Sequence, residues 1–284
     1  TLTASNIENI TGNTSNDTVI LATQITGGLI NLGVGTDTLT LGNFVNTLTV
    51  SNIETITGGT TDDTVTLATQ VTTGTIDLLG GADTLNLGSF ANTLTVTNVE
   101  TLVGGNGGDN VTLGSQITSG TISLGSGADS ITLGNFANTV TLTDIETITG
   151  GTSNDVVTLG AAASNQSINL GNGTDTLNLG NFANTLTVSN VETLVGNAST
   201  GLVTYATQLN GSLDLAAGSD TLTLGNFANT VTASNIESIV GGTSSDVVIL
   251  ATASTNGVFN LGAGTDTLTL GAFNNTVTVS NVET

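Results

Sequence analysis

The chain consists largely of short segments in which apolar and polar residues alternate. Two of them read Thr-Leu-Thr-Leu (38–41) and Thr-Val-Thr-Leu (64–67), where every second residue is apolar. A period of two, together with many β-branched residues, predicts β-strands that bury one face. Glycine-rich turns separate these segments at intervals too short for helices. The pattern therefore predicts an all-β protein of short strands.

Two residue markers recur with one period and define a tandem array. A phenylalanine occurs in steps of 46, 46, 46, 45 and 46 residues, at Phe44, Phe90, Phe136, Phe182, Phe227 and Phe273. The glutamate of an Asn-(Ile/Val)-Glu triplet, in which Asp144 once replaces the asparagine, occurs at Glu8, Glu54, Glu100, Glu146, Glu192, Glu237 and Glu283. Cutting after each glutamate gives six repeats, 9–54, 55–100, 101–146, 147–192, 193–237 and 238–283. Because the chain begins and ends at one phase of the repeat, we expect 1–284 to be a single solenoid array within a longer protein.

Each repeat contains a weaker internal duplication. Residues 56–67 align without gaps on residues 76–87, so Asp63 and Asp83 are 20 residues apart, while Asp83 and Asp109 are 26 apart. We interpret the repeat as two coils of unequal length, with one further short strand in the longer coil. Stacked coils would bury a continuous column of Leu, Ile and Val. The sequence thus predicts a parallel β-solenoid.

The composition restricts the chemistry that this chain can perform. It has no Lys, Arg, His, Pro, Cys, Met or Trp, and its 22 acidic residues give a formal net charge of -22. Nothing in the chain can neutralise nucleic acid phosphates or an anionic membrane surface, and no apolar run approaches the roughly 20 residues that span a bilayer. The usual acid–base, nucleophilic and zinc-ligating side chains are also missing. We therefore expect no nucleic acid partner, no membrane insertion and no enzyme, and only all-oxygen coordination of a hard cation.

Aspartates at the glycine turns are the candidate cation ligands. We expect them to lie along one edge of the solenoid, about 4.8 Å apart from coil to coil, so that they repel one another and require a divalent cation. Gly201 alone interrupts the series. An alternative is that each aspartate caps its turn while its carboxylate stays solvated. The predicted ligands are Asp17, Asp37, Asp63, Asp83, Asp109, Asp129, Asp155, Asp175, Asp220, Asp246 and Asp266.

These turns resemble a known family. Gly-Gly-Thr-Ser-Asn-Asp-Val-Val-Thr-Leu (150–159) and Gly-Ala-Gly-Thr-Asp-Thr-Leu-Thr-Leu (262–270) look like variants of the RTX (repeats-in-toxin, hemolysin-type) calcium-binding nonapeptide. The resemblance covers roughly half of each repeat, and it implies a right-handed β-roll that is secreted unfolded and folds on extracellular calcium. The sequence departs from the family where Thr61, Ser153 and Leu32 replace motif glycines, and the turns that we expect on the opposite edge, at 22–28 and 43–46, contain no aspartate. We therefore expect calcium on one edge only.

Three further columns have structural and functional interpretations. We expect the phenylalanines to form a core stack at a corner, and the asparagines that follow them, such as Asn46 and Asn92, to form amide ladders that satisfy turn backbone. The glutamates are expected to be solvated or to bond to the backbone of a neighbouring coil. Outward Thr-x-Thr positions could be solvated strand residues, a face that binds ice, as in ice-binding RTX adhesin repeats, or O-glycosylation sites.

These observations together predict a function. We expect a calcium-stabilised structural repeat region of a bacterial cell-surface or secreted protein, such as a surface layer, extracellular filament or adhesin stalk. Its partners would be further copies in a sheet or filament. The alternative is an RTX-type adhesin module whose Thr/Asn face binds ice or glycan.

Overall fold

The computed structural model describes residues 1–284, which form two compact units, Thr1–Ile145 and Glu146–Thr284. All regular structure is β-strand, and no helix is present that could cross a membrane. The strands of the first unit are β1 Leu2–Ala4, β2 Asn9–Asn13, β3 Thr18–Leu21, β4 Thr26–Gly33, β5 Thr38–Thr40, β6 Thr47–Ser51, β7 Thr55–Gly59, β8 Thr64–Leu67, β9 Gly74–Leu79, β10 Thr84–Asn86, β11 Thr93–Thr97, β12 Thr101–Gly105, β13 Asn110–Leu113, β14 Gly120–Gly125, β15 Ser130–Thr132 and β16 Thr139–Thr143. The strands of the second unit are β17 Thr147–Gly151, β18 Val156–Leu159, β19 Ser164–Gly171, β20 Thr176–Asn178, β21 Asn184–Ser189, β22 Thr193–Val195, β23 Gly201–Tyr205, β24 Asn210–Asp214, β25 Thr221–Thr223, β26 Thr230–Ser234, β27 Ser238–Val240, β28 Val247–Leu250, β29 Thr255–Asn260, β30 Thr267–Thr269 and β31 Thr276–Ser280.

Consecutive strands alternate between two parallel sheets in each unit. Odd-numbered strands pair only with odd-numbered strands, as β3 with β5, and even-numbered strands only with even-numbered ones, as β8 with β10. One coil is therefore an odd strand, a turn, an even strand and a second turn. The predicted parallel β-solenoid is confirmed, whereas its right-handedness stays a prediction.

The predicted number of coils per repeat is wrong. Repeat 55–100 contains the five strands β7–β11, which is two and a half coils and not two. Paired residues lie 20 residues apart between Val19 and Leu39 and 17 apart between Leu39 and Ile56. The 26-residue interval, which we interpreted as one coil, also contains the short strand β11, and this strand occupies its own place in the sheet opposite to β10 and β12. The same element of the repeat therefore lies in opposite sheets in successive repeats of a unit.

The core of each unit is a column of aliphatic side chains between the two sheets. Inward residues such as Leu39, Ile56 and Ile76 are fully buried, and the outward residues beside them are mostly Thr, Ser and Asn. Alternation of apolar and polar residues thus places one face of every strand in the core, as the sequence predicts. Tyr205 is buried in this core in place of a leucine.

A left-handed backbone explains the asparagine of the Asn-(Ile/Val)-Glu triplet. Asn52 has φ 53° and Asn98 has φ 51°, and Asp144, which replaces the asparagine once, has φ 53°. Asn and Asp adopt this region more easily than other residues with a side chain. The Asn52 backbone NH donates to the Thr69 hydroxyl of the next coil at 2.7 Å. The triplet therefore makes a tight turn that places its glutamate at the start of the following strand.

A second left-handed position gives a test of backbone strain. Glycines with φ near 90° occupy it in several repeats, as Gly125 does, but Leu79 occupies it with φ 66°. We expect Leu79→Gly to raise the free energy of unfolding by about 0.5–1 kcal/mol, because glycine adopts positive φ without steric cost and the leucine is partly exposed. Urea unfolding measures the change.

Gly125→Ala is the matched control for this substitution. A Cβ atom there would lie 2.3 Å from the Gly105 carbonyl oxygen, so we expect a loss of at least about 1 kcal/mol. If Leu79→Gly instead lowered the free energy of unfolding, the contacts of the Leu79 side chain would stabilise the fold by more than the strain of its positive φ destabilises it.

Candidate functional site: paired buried carboxylates

The turn aspartates lie on both edges of the solenoid, which corrects the single-edge ladder. We call the turns that enter odd-numbered strands the odd edge of a unit and those that enter even-numbered strands its even edge. In the first unit the odd edge holds Asp17, Asp37, Asp109 and Asp129, and the even edge holds Asp63 and Asp83. In the second unit the even edge holds Asp155, Asp175, Asp246 and Asp266, and the odd edge holds Asp220. The reason is the half-integral number of coils per repeat, which moves each new pair of aspartates to the opposite edge.

The aspartates form pairs on adjacent coils. In each pair the backbone NH of the first aspartate donates to Oδ1 of the second, for example from Asp63 to Asp83 at 2.7 Å. The same bond measures 2.6–2.7 Å in the pairs Asp17/Asp37, Asp109/Asp129, Asp155/Asp175 and Asp246/Asp266. The continuous series of like charges that the sequence suggested is thus divided into short, separate groups.

A glutamate stacks directly on each of several pairs, which the sequence interpretation did not anticipate. Glu100 Oε2 accepts the Asp83 backbone NH at 2.9 Å, and Glu54 and Glu192 accept the corresponding bonds from Asp37 and Asp175. The bond to neighbouring backbone is one of the two roles expected for the glutamates. Their place beside the aspartates was missed, although the 17-residue step from Asp83 to Glu100 equals the step from Asn46 to Asp63.

Asparagines occupy the coil before several pairs. The Asn92 backbone NH and its Nδ2 both donate to Asp109 Oδ1 at 2.9 Å. Its own Oδ1 accepts the Val71 backbone NH at 2.9 Å, and Nδ2 also reaches the Phe90 carbonyl at 3.0 Å. The expected contacts with turn backbone are present. The asparagines do not stack on one another, however, because an aspartate lies on the next coil.

Nearly all of these carboxylates are buried, and many have one oxygen without a hydrogen-bond donor. Ten of the eleven aspartates are at most 1 % exposed, while Asp17 is partly exposed. A buried oxygen atom that lacks a donor has lost hydration without replacement, which costs about 1–3 kcal/mol and more for a charged group. Oδ2 is such an atom in Asp37, Asp83, Asp109, Asp175, Asp220, Asp246 and Asp266. These atoms would be satisfied by a proton or a cation.

Burial makes protonation of Asp83, Asp109 and Asp175 easier than in water. Burial raises the pKa of Asp83 to about 6, and the charges of Asp63 and Glu100 add to this effect, against the lowering effect of the Asp63 backbone NH. The pKa of Asp175 is raised to about 6 by the same causes, with Asp155 and Glu192 as the neighbours. Burial also raises the pKa of Asp109, although the two hydrogen bonds from Asn92 oppose the shift.

Repeat five lacks a pair. Gly201 replaces the first aspartate, and its backbone NH donates to Asp220 Oδ1 at 2.5 Å. With no carboxylate at this corner, the Asn184 backbone NH donates to the Thr200 carbonyl at 3.2 Å instead. The corner thus stays hydrogen-bonded without its aspartate.

The phenylalanines do not form the expected core stack. Phe44, Phe227 and Phe273 are 37–48 % exposed, and each ring lies against the glycine two residues before it. Successive phenylalanines of a unit lie on opposite edges, because each repeat shifts by half a coil. They cover turn corners at the surface.

The paired carboxylates are the candidate binding arrangement, although no group of three or more acidic side chains that could hold a metal ion is present. Buried carboxylate oxygens favour a hard cation or a proton. In comparisons with known proteins, the chain matches no family model, no curated protein and no solved structure.

The raised pKa values predict that the calcium-free protein is more stable in acid than at neutral pH. A group whose pKa rises from 3.8 in the unfolded chain to about 6 in the fold stabilises the fold fully below pH 3.8. That contribution is lost as the pH rises through 6. We expect a loss on the order of 1 kcal/mol for each of Asp83 and Asp175 between pH 4 and pH 7. Chemical unfolding in EGTA at both pH values measures it.

The double variant Asp83→Asn/Asp175→Asn is the control, because amides do not titrate. Its pH dependence should be flatter than that of the wild type. Equal pH dependence in the two proteins would contradict the assignment of the effect to these carboxyls.

Proposed function

We propose that this chain is a calcium-stabilised structural repeat region of a bacterial cell-surface or secreted protein, of the type that RTX-like repeats form. The observation that supports it best is the set of buried carboxylate pairs with donor-free oxygens in a chain without Lys, Arg or His. Such pairs have no internal counter-charge. A divalent cation at each pair would neutralise two carboxylates at once.

The residues present fit a calcium ion in their chemistry. The first and second aspartates of a pair, such as Asp63 and Asp83, would supply carboxylate oxygens, and Glu100 lies on the next coil. Since calcium takes six to eight oxygen ligands and no three acidic side chains form a group that could hold it alone, turn carbonyls and water would complete the shell. When bound, calcium would supply charge neutralisation and cross-linking of adjacent coils.

The size of the repulsion explains why a cation would matter. Carboxylates on adjacent coils, about 4.8 Å apart, repel by about 1 kcal/mol in water and by several times more near a protein surface. Each aspartate pair is followed on its edge by a glutamate and then by two corners without an acidic residue. The total repulsion is therefore smaller than a continuous ladder would give, and each pair would bind its cation independently.

A structural role at the cell surface follows from the regularity of the solenoid. One corner design recurs along the chain, with an exception in repeat five, and the strand faces are almost uncharged, with Asp77 and Asp214 as their acidic residues. This design suits a scaffold in a surface layer, filament or adhesin stalk, with other copies of the chain as partners. An extracellular location belongs to the proposal, because millimolar calcium is found there.

A second candidate function, binding of ice or glycan, is supported by the outward threonines. In the first unit one outward threonine column extends without interruption over seven successive odd strands, through Thr18, Thr38, Thr55, Thr75, Thr95, Thr112 and Thr132. A regular column of hydroxyl and methyl groups on the sheet surface could order water or contact a polysaccharide.

Calcium titration tests the first proposal. We expect calcium to raise the thermal midpoint of the wild-type protein and to bind in isothermal titration calorimetry with about one ion per aspartate pair, because ligands of the folded state stabilise it. Asp83→Asn should remove one site.

Asp220→Asn is the matched control, because Asp220 is equally buried and accepts one backbone NH but faces Gly201 and not a second aspartate. It should leave the calcium stoichiometry unchanged. The proposal would be refuted if the wild-type protein had the same thermal midpoint with and without excess calcium and showed no heat of calcium binding.

Thermal hysteresis in calcium buffer tests ice binding. We expect activity in the wild type and its loss in Thr75→Tyr/Thr95→Tyr, which makes the threonine face uneven. Thr204→Tyr/Thr223→Tyr is the control, because that threonine column ends at Val240. An absence of hysteresis in the wild type excludes ice, and a glycan array then tests the remaining ligand.

A further inference from the structure

The asparagine corners do more than complete the turns. Asn92 directs two donors, its backbone NH and Nδ2, at Asp109 Oδ1, both at 2.9 Å. Asn229 does the same to Asp246 Oδ1, at 3.0 Å and 2.8 Å. Both asparagines are 1 % exposed. The first aspartate of each of these pairs is therefore held by an amide from the coil before it.

The orientation of the amide is itself fixed. Asn92 Oδ1 accepts the Val71 backbone NH, so Nδ2 must face the opposite way, toward Asp109. Nδ2 of Asn92 also donates to the Leu87 and Phe90 carbonyls at 3.2 Å and 3.0 Å. Asn229 is held alike, with Oδ1 on the Leu209 backbone NH at 2.8 Å. A reversed amide would place Oδ1 against the acceptors at Asp109 and Nδ2 against the donor NH of Val71, so that the bonds at both ends would be lost.

These two bonds to Oδ1 also determine the position of the second carboxylate oxygen, Oδ2. With two donors on Oδ1, the carboxylate of Asp109 or Asp246 cannot rotate freely, and its Oδ2 is buried without a donor. We propose that Asn92 and Asn229 are positioning residues of the cation sites at Asp109 and Asp246, which hold Oδ1 so that Oδ2 is presented to the ion. This inference rests on the proposed calcium function, which it deepens.

Repeat five contains an asparagine, Asn184, that makes the turn contacts without holding a carboxylate, so it distinguishes the two roles. Asn184 makes the same turn contacts, with Nδ2 on the Leu179 and Phe182 carbonyls at 3.0 Å and 2.9 Å and Oδ1 on the Ala163 backbone NH at 2.8 Å. Gly201 replaces its aspartate partner, so Asn184 has no carboxylate to orient. A substitution at Asn184 removes the corner bonds alone.

The test compares Asn92→Ala, Asn229→Ala and their double variant with Asn184→Ala, all in the full chain. Circular dichroism and urea unfolding in EGTA establish folding and the structural cost, which should be larger for Asn92→Ala and Asn229→Ala because they also lose the bond to a carboxylate. Calcium calorimetry should then show one site weakened 10- to 100-fold in each of Asn92→Ala and Asn229→Ala, and two in the double variant. Asn184→Ala should retain every wild-type site.

A double-mutant cycle shows whether Asn92 acts through Asp109. If it does, Asn92→Ala in the Asp109→Asn background has no further effect on calcium binding. If Asn92→Ala does not fold, Asn229→Ala gives the same comparison at Asp246. Equal calcium binding by Asn92→Ala, Asn229→Ala and Asn184→Ala overturns the positioning role while the calcium proposal stands. A wild-type protein that binds no calcium overturns both.

Discussion

The solenoid depends on one recurring type of hydrogen bond. In it, a backbone NH at the corner of one coil donates to a side-chain oxygen at the same corner of the next coil. Strand pairing satisfies the backbone between corners, but the corner NH groups need another acceptor once they are buried. Asp, Glu and Asn side chains all fill this role, as Asp83, Glu100 and Asn92 show. Adjacent coils are therefore joined by hydrogen bonds at their buried corners as well as along their strands.

This solution introduces a constraint of its own. Of every five successive corners along an edge, two have an aspartate as the acceptor and one has a glutamate. The chain contains no Lys, Arg or His to balance these charges. The asparagine and the apolar residue at the remaining two corners interrupt the charge. Confinement of the charged groups to the edges leaves the strand faces almost neutral. Backbone satisfaction, electrostatics and the proposed cation binding thus all meet at the same few atoms.

The sequence predicted the fold class because the alternation of apolar and polar residues determines it directly. It also placed Asp63 and Asp83 on one edge, since 20 residues between them form one coil. It could not place Asp109 relative to Asp83, because a 26-residue interval fits one long coil or one and a half short ones. The difference depends on whether β11 pairs as a separate strand, which is a matter of long-range contacts. The position of Glu100 beside Asp83 was missed for the same reason, because it also depends on the pairing of β11 as a separate strand. The exposure of Phe44 depends on the turn conformation at Gly42.

The two and a half coils in each repeat also constrain how such an array can change in length. Duplication or loss of one 46-residue repeat would transfer every later feature within the stack to the opposite edge and sheet. Duplication of two repeats, which together form five whole coils, would preserve every surface. A surface selected for contact with a neighbour would therefore tolerate growth of the gene only in steps of two repeats, whereas an array under selection for length alone could grow in single steps.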